Sequence, residues 1–306
     1  VIGEGCHKIS SEDYHADPCP DPSMSRGTVI DLLDVPAKAF YNHPRLNPQP
    51  KEERDESRFD PGKAWHDLLF EGGKKVYVVL GFDDWKKKDA QEARKAAREA
   101  GLIPLLEKQF DLSSAMVESA VEQIKECEEL GIKSLANEGK AEMTYIFNDG
   151  GTWERCLVDW ISNDGSLIID GKSTKVSSEP GRFSRHISDM QYQIQYAWYR
   201  RVVCGVTGKW PKFIWIAQEE EPPYLCSFNS IDPMYADMAA QQVEYAVKLW
   251  RSCMETGKWP GYTNRICYAG VKPWALAEWE EKKAALNEWL EIPEPTVDEQ
   301  LDAVGL

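Results

Sequence analysis

The chain has 306 residues, 42% of them hydrophobic, enough for one large core or two small ones, and a formal net charge of −15 that stands against a broad nucleic-acid surface. Its longest apolar run, around Val76–Gly81, is strand-sized, which excludes a membrane span. Eight cysteines at 6, 19, 127, 156, 204, 226, 253 and 267 form neither a CxxC pair nor a zinc spacing, which argues against an iron–sulfur cluster and fits a reducing cytoplasm. The acid is unevenly spread: Glu291, Glu294, Asp298, Glu299 and Asp302 sit in a tail without a base, and Glu219–Glu221 form a further run. A local basic strip therefore remains compatible with the charge, and a carboxylate-rich metal site adds to the negative count by itself.

Residues 1–23, with Pro18, Pro20 and Pro22, read as an irregular lead-in, and no signal peptide is read in them. Ser25 to about Tyr41 has helical spacing broken at Pro36, so two short helices are expected, followed by a charged loop over Pro48–Arg58. Asp60-Pro61 starts the next helix, with Asp as N-cap and Pro in the first turn. Lys75–Gly81 is strand-like, 83–100 is a charged helix rich in Lys86, Lys87, Lys88, Arg94, Lys95 and Arg98, and Ser113–Leu130 is an amphipathic helix. In the centre, Ala141–Phe147, Arg155–Asn163 and Ser166–Thr174 read as strands joined by tight turns. A helix over about Asp189–Cys204, stopped by Gly205, precedes a strand pair at Lys212–Ala217 and Tyr224–Phe228, and helices over Met234–Glu255 and Trp274–Trp289 end the pattern. The expected fold is α/β: a mixed central sheet flanked by helices, one domain over 1–290 with 1–60 packed on it, and a flexible acidic tail over 291–306.

The chemistry concentrates in one hairpin. Asp164-Gly165 is a strong signal for a two-residue type I′ turn, and that turn makes facing residues sum to 329. Asp159 then lies directly opposite Asp170, with Lys172 on the same face two residues on, and Leu157, Ile161 and Ile168 sharing that face. Two carboxylates so placed repel unless something sits between them. Hard divalent cations take such oxygen ligands, and Mg²⁺ held there activates water and stabilises a phosphate oxygen. Lys172 is placed to hold the attacking water or offset charge on phosphate. A solvated hairpin is the competing reading, and the apolar neighbours disfavour it. Gly171-Lys172-Ser173 is not the end of a phosphate-binding loop, because position 166 is Ser and the segment reads as a strand, so no nucleotide cofactor is expected.

The order Asp, spacer, Asp-x-Lys resembles the PD-(D/E)xK nuclease superfamily. Gln195-Tyr196-Ala197-Trp198-Tyr199 is similar to the Gln-x-x-x-Tyr signature of the RecB-like and lambda-exonuclease-like branch, and Gly62-Lys63-Ala64-Trp65-His66 to its Gly-x-x-x-His helix. The opening Ile9-Ser10-Ser11-Glu12-Asp13-Tyr14-His15 and the segment around Ser25–Tyr41 resemble the start of RecE-type (exonuclease VIII-like) domains, and the likeness runs on to Glu255–Trp259. Val158 in place of Pro, and Asp170 in place of Glu, depart from the motif and fit the RecE-like branch.

The resemblance implies a restriction-endonuclease-like fold and a Mg²⁺-dependent, ATP-independent double-strand exonuclease, with Mn²⁺ as substitute. Cleavage would run from 5′ to 3′ and leave 3′ single strands for recombination. It implies His66, Asp159, Asp170 and the Gly171 carbonyl as metal ligands, Lys172 as the catalytic lysine, Gln195 and Tyr199 as helpers reaching the site, and Glu142 in an outer shell. Ser25, Arg26, Arg182 and Arg185 are candidate phosphate contacts. The implied partners are double-stranded DNA ends, further copies in a trimeric or tetrameric ring, and a single-strand annealing protein, in the cytoplasm of a bacterial or phage-infected cell. The rivals are a structure-specific endonuclease on the same fold and a non-catalytic recombination scaffold.

Overall fold

The computed structural model describes residues 1–48 and 60–290. The segments read from sequence as the charged loop (its part over 49–58) and the acidic tail (291–306) lie outside the described residues. Contacts divide the chain into one compact unit, Val1–Gly261, and a second, Tyr262–Leu306, so the boundary falls well before the expected residue 290.

The first unit is built on a six-stranded sheet in the order β1 (Gly5–His7), β4 (Gly139–Asp149), β5 (Thr152–Ser162), β6 (Leu167–Thr174), β7 (Lys212–Glu219) and β8 (Cys226–Asn229). All neighbours are antiparallel except β6 and β7, which run parallel. A parallel pair needs a long crossover; here it carries α8 (Pro180–Asp189) and α9 (Tyr192–Thr207). One face of the sheet buries Cys156, Val158, Ile168 and Trp215 with Trp198 and Val202 of α9, Val29 of α2 (Arg26–Asp34), and Val243 and Trp250 of α10 (Pro233–Thr256). The other face buries Trp160, Ile169 and Ile216 against Trp65 of α4 (Asp60–His66) and Met116 and Ile124 of α6 (Glu107–Glu126). A separate parallel pair, β2 (Val76–Val79) and β3 (Ile103–Leu106), is joined through α5 (Lys88–Glu99). The mixed, helix-flanked sheet expected from the sequence is present.

Three local expectations change. The lead-in is not wholly irregular: it contributes β1, paired with β4, and α1 (Ser11–His15), capped by Ser10. The helix over 189–204 does not stop at Gly205. It begins at Tyr192 after α8, runs through Gly205, and ends at Gly208, which takes the left-handed φ of 73°. Gly205 instead lets the Phe147 ring approach, since a Cβ there would lie 2.5 Å from it. The hairpin turn is not type I′: Gly165 takes a positive φ (74°) and Asp164 does not, the turn closing from Gly165 N–H to the Ser162 carbonyl at 2.9 Å. The Asp164 carboxylate bonds Ser162 and Ser166 on either side, an arrangement that needs no left-handed aspartate.

In the second unit, α11 (Pro273–Leu290) buries none of its residues and exposes Trp274, Trp279 and Trp289. No described helix is long and apolar enough to cross a membrane.

Candidate active site

The register read from the hairpin holds, but only just far enough. Trp160 pairs with Ile169 and Ile161 with Ile168, and the β5–β6 ladder ends there. The next pair, Asp159 and Asp170, is therefore not a ladder pair. A second irregularity lies beside it. Glu142, across from Asp159 on β4, has a left-handed φ of 53°, and the β4–β5 ladder skips this position. Alternation breaks as well: Val158 and Ile161 join one core and Trp160 the other, so Leu157 does not share the face of Ile161. The strands part, and Asp159 turns its Oδ2 to accept the Gly171 N–H at 3.0 Å.

His66 enters from the end of α4, which leans on β6 through two glycines. A Cβ on Gly62 would meet Ser173 Oγ at 3.3 Å; one on Gly171 would meet Phe70 at 2.8 Å and Trp65 at 3.0 Å. Trp65 is fixed in turn by its indole N–H, which donates to Gln218 Oε1 at 2.6 Å, while Gln218 donates to the Met116 carbonyl. Gly171→Ala should therefore lift α4 off the strand, lowering stability by about 1–3 kcal/mol. A melting curve checks this, and an unchanged midpoint would mean that Trp65 and Phe70 can yield.

His66 Nε2 lies 3.0 Å from Asp159 Oδ2, and Nδ1 lies 3.6 Å from Glu142 Oε1. Burial opposes the charge on His66, but Asp159 and Glu142 outweigh it and raise its pKa to about 9. Burial likewise resists ionisation of Asp159, yet His66 and then Lys172 hold its carboxyl below the usual range. Glu142 is pushed up by burial, with His66 opposing. Asp170, 1% exposed, is raised to about 6 by burial and by Asp159. Its Oδ1 pairs with the Lys172 ammonium and its Oδ2 accepts from Gln195 Nε2 at 2.5 Å. Burial pulls the Lys172 pKa down, but Asp170 and Asp159 together outweigh it and raise it, so the lysine stays charged.

The structure thus gathers His66, Asp159, Asp170, Gly171, Lys172 and Gln195 into one place. Potential ligand atoms of His66, Glu142 and Asp159 lie within 4.8 Å of one another, so Glu142 stands beside two of the expected ligands. Asp170 has both of its oxygens engaged, one by Lys172 and one by Gln195. Tyr199 is buried and packs edge-on to Phe213 at 6.1 Å, with no hydrogen bond to Asp159, Asp170 or Lys172 among the described residues. Ser25 caps α2 by accepting from Thr28, and Arg26 donates to the Met190 carbonyl at 2.9 Å. Arg182 and Arg185 are exposed on α8. Beside the cluster opens a cleft of about 950 Å³ whose lining includes Lys63, Lys175, His186 and Glu220. Lys175 and His186 were not singled out from sequence, and Lys63 and Glu220 entered there only as members of a helix motif and an acidic run.

The family model of the PDDEXK-like domain of unknown function (DUF3799) matches residues 36–270. The chain belongs to this family. The match spans every residue of the cluster from His66 to Gln195 and leaves Ser25 and Arg26 outside. Among solved structures, an Eubacterium rectale protein described as "Putative exonuclease" aligns with a TM-score of 0.54 at 16% identity, covering 88% of this chain and 98% of its own, a likeness of fold. A protein described as SSO0001 aligns at 12% identity over 70% of this chain and 100% of its own, with a TM-score of 0.27, too low to bear on the argument. No curated protein matches the chain. As a PDDEXK-like domain the chain belongs with the PD-(D/E)xK nuclease superfamily, whose Asp, Asp-x-Lys order is met here by Asp159, Asp170 and Lys172.

Proposed function

We propose that this PDDEXK-like domain is a metal-dependent deoxyribonuclease that degrades duplex DNA from its ends. The observation that carries the reading is the juxtaposition of His66, Glu142 and Asp159, within 4.8 Å of one another, with His66 and Glu142 lining a cleft and the Asp170–Lys172 ion pair completing the Asp, Asp-x-Lys set. One imidazole and hard carboxylate oxygens fit Mg²⁺ or Mn²⁺. In a strand the N–H and C=O of one residue leave the same edge. The Gly171 carbonyl therefore belongs to the gap into which its N–H reaches Asp159, which supports it as a further ligand.

A bound divalent cation would supply Lewis-acid stabilisation of phosphate and a more acidic water. The chain's own residues do the rest. Asp159 and Glu142 offer charge to the cation, His66 offers a ring nitrogen once it releases its proton, and Asp170 presents an oxygen when Lys172 lets it go. Lys172, kept protonated, sets an ammonium where negative charge grows on phosphate or on the attacking oxygen. Gln195 pins Asp170 from behind and fixes which oxygen turns outward.

The finer proposal follows the RecE-like resemblance: 5′-to-3′ degradation with Mg²⁺, Mn²⁺ substituting, leaving 3′ single strands for an annealing partner, by a ring of several copies. The name of the Eubacterium rectale neighbour agrees with an exonuclease. The test is end-labelled linear duplex and covalently closed circular duplex, each with Mg²⁺ and with chelator. Mg²⁺-dependent loss of the linear DNA with the circle intact is expected. Equal attack on the circle would replace this reading with an endonuclease, and no cleavage of either with a binding or scaffold role.

A further inference from the structure

Lys172 has a second contact that the motif does not supply. Its Nζ lies 5.1 Å from the centroid of the Tyr192 ring. Tyr192 opens α9 directly after Gln191, whose left-handed φ of 52° sets the angle between α8 and α9. The ring is 8% exposed and held on several sides: stacked at 25° on Trp215 of β7, 6.2 Å away, and met edge-on by His186 of α8 at 5.4 Å. The Arg26 guanidinium lies 5.5 Å from the same ring, joining α2 to it. Gln195, one turn further along α9, holds Asp170. The first turn of α9 therefore grips both members of the Asp170–Lys172 pair.

A lysine is a flexible four-carbon stem with a point charge, and a working geometry needs more than one restraint. Here the restraints are the Asp170 carboxylate and the Tyr192 ring, whose face attracts a cation. An Asp170 oxygen given to a metal ion no longer serves the lysine. The ring is held by Trp215 and His186, neither of which belongs to the candidate ligand set.

We propose that Tyr192 is the positioning residue for Lys172, keeping its ammonium in place over an aromatic face when Asp170 turns to a cation. The proposal rests on the nuclease reading for its role in turnover, while the contact itself can be tested without turnover. The phenol hydroxyl takes no part, so Tyr192→Phe should behave as wild type. Tyr192→Leu keeps an apolar side chain and removes the ring; it should lower kcat by roughly tenfold, the loss of a partly desolvated cation–π contact, with KM for duplex ends little changed.

The second measurement is the rate at which a small acylating reagent modifies Lys172, read by mass spectrometry on metal-free and Mg²⁺-loaded protein. Tyr192→Leu should raise that rate several-fold over wild type and Tyr192→Phe, with a larger gain in Mg²⁺, while modification of the exposed Lys86 stays constant as the internal reference. Equal Lys172 labelling in all three proteins would overturn the proposal, whatever the activities. So would a Tyr192→Phe variant as impaired as Tyr192→Leu, since that places the function in the hydroxyl. A wild type that labels as expected but cuts no DNA would refute the nuclease reading and leave the positioning contact standing.

Discussion

Asp159→Ala, Asp170→Ala and Lys172→Ala should each lower Mg²⁺-dependent cleavage of linear duplex by about three orders of magnitude or more, and any two together should cost little beyond one. Such non-additivity is expected of groups that act as a unit. The geometry says why they do. Asp159 bonds the Gly171 N–H next to Asp170 and raises the Asp170 pKa, and Asp170 holds Lys172, so removing one displaces the rest. Thermal melting with and without Mg²⁺ supplies a readout independent of turnover, because a ligand that binds only the folded chain stabilises by RT ln(1 + [L]/Kd). Wild type should gain in melting temperature with rising Mg²⁺, Asp159→Ala should gain little, and Lys172→Ala, which keeps the carboxylates, should still gain. Near wild-type cleavage by Lys172→Ala would remove this cluster from the chemistry altogether.

The parts of this site that were legible in the sequence are those fixed by short-range geometry. The register summing to 329 followed from the hairpin length and is met by Trp160–Ile169 and Ile161–Ile168, even though the turn closes without a left-handed Asp164. Gln195, to which the Gln-x-x-x-Tyr resemblance pointed, bonds Asp170, whereas Tyr199 of the same motif packs on Phe213. The illegible parts depend on partners far along the chain. Glu142 adopts its left-handed backbone in the middle of a strand, which no propensity suggests, and that single residue accompanies the opening between β5 and β6. The strand β1 exists through pairing with β4 across more than a hundred residues, so its three residues carry no signal of their own. Gly205 looked like a stop because glycine commonly ends helices; here it makes room for Phe147, and Gly208 ends the helix. Tyr192 falls outside the Gln195–Tyr199 motif and is visible only once β6, β7, α8 and α9 are assembled.

The scaffold behind the site should fail most sharply at Arg201. Glu154 on β5 is 0% exposed, and its carboxylate is met by Arg201 of α9 through two bonds, Nε to Oε2 at 2.8 Å and Nη2 to Oε1 at 3.0 Å. Arg201 also reaches Glu244 of α10 and Asp149, and Arg251 of α10 bonds Asp149 at 2.7 Å, so one ionic hub ties the β4–β5 hairpin to both helices. The two elements that carry Asp159 and Gln195 are thus joined on the far side of the core. Arg201→Met keeps much of the stem and removes the charge, leaving a buried carboxylate uncompensated, a loss of about 3–5 kcal/mol in denaturant unfolding. Burial already pushes the Glu154 pKa up while Arg201 pulls it down; without Arg201, burial and Asp149 are opposed by Arg251 only weakly and the folded-state pKa rises further. A group whose pKa is raised by folding favours the fold at low pH and loses that advantage as pH climbs through the raised value, so the Arg201→Met deficit should be larger at pH 8 than at pH 5. Pairing it with Glu154→Leu removes the orphaned charge and should recover most of the stability at both pH values. If the double variant is as unstable as Arg201→Met, and the deficit ignores pH, the hub stabilises by packing of the arginine stem and not by its charge.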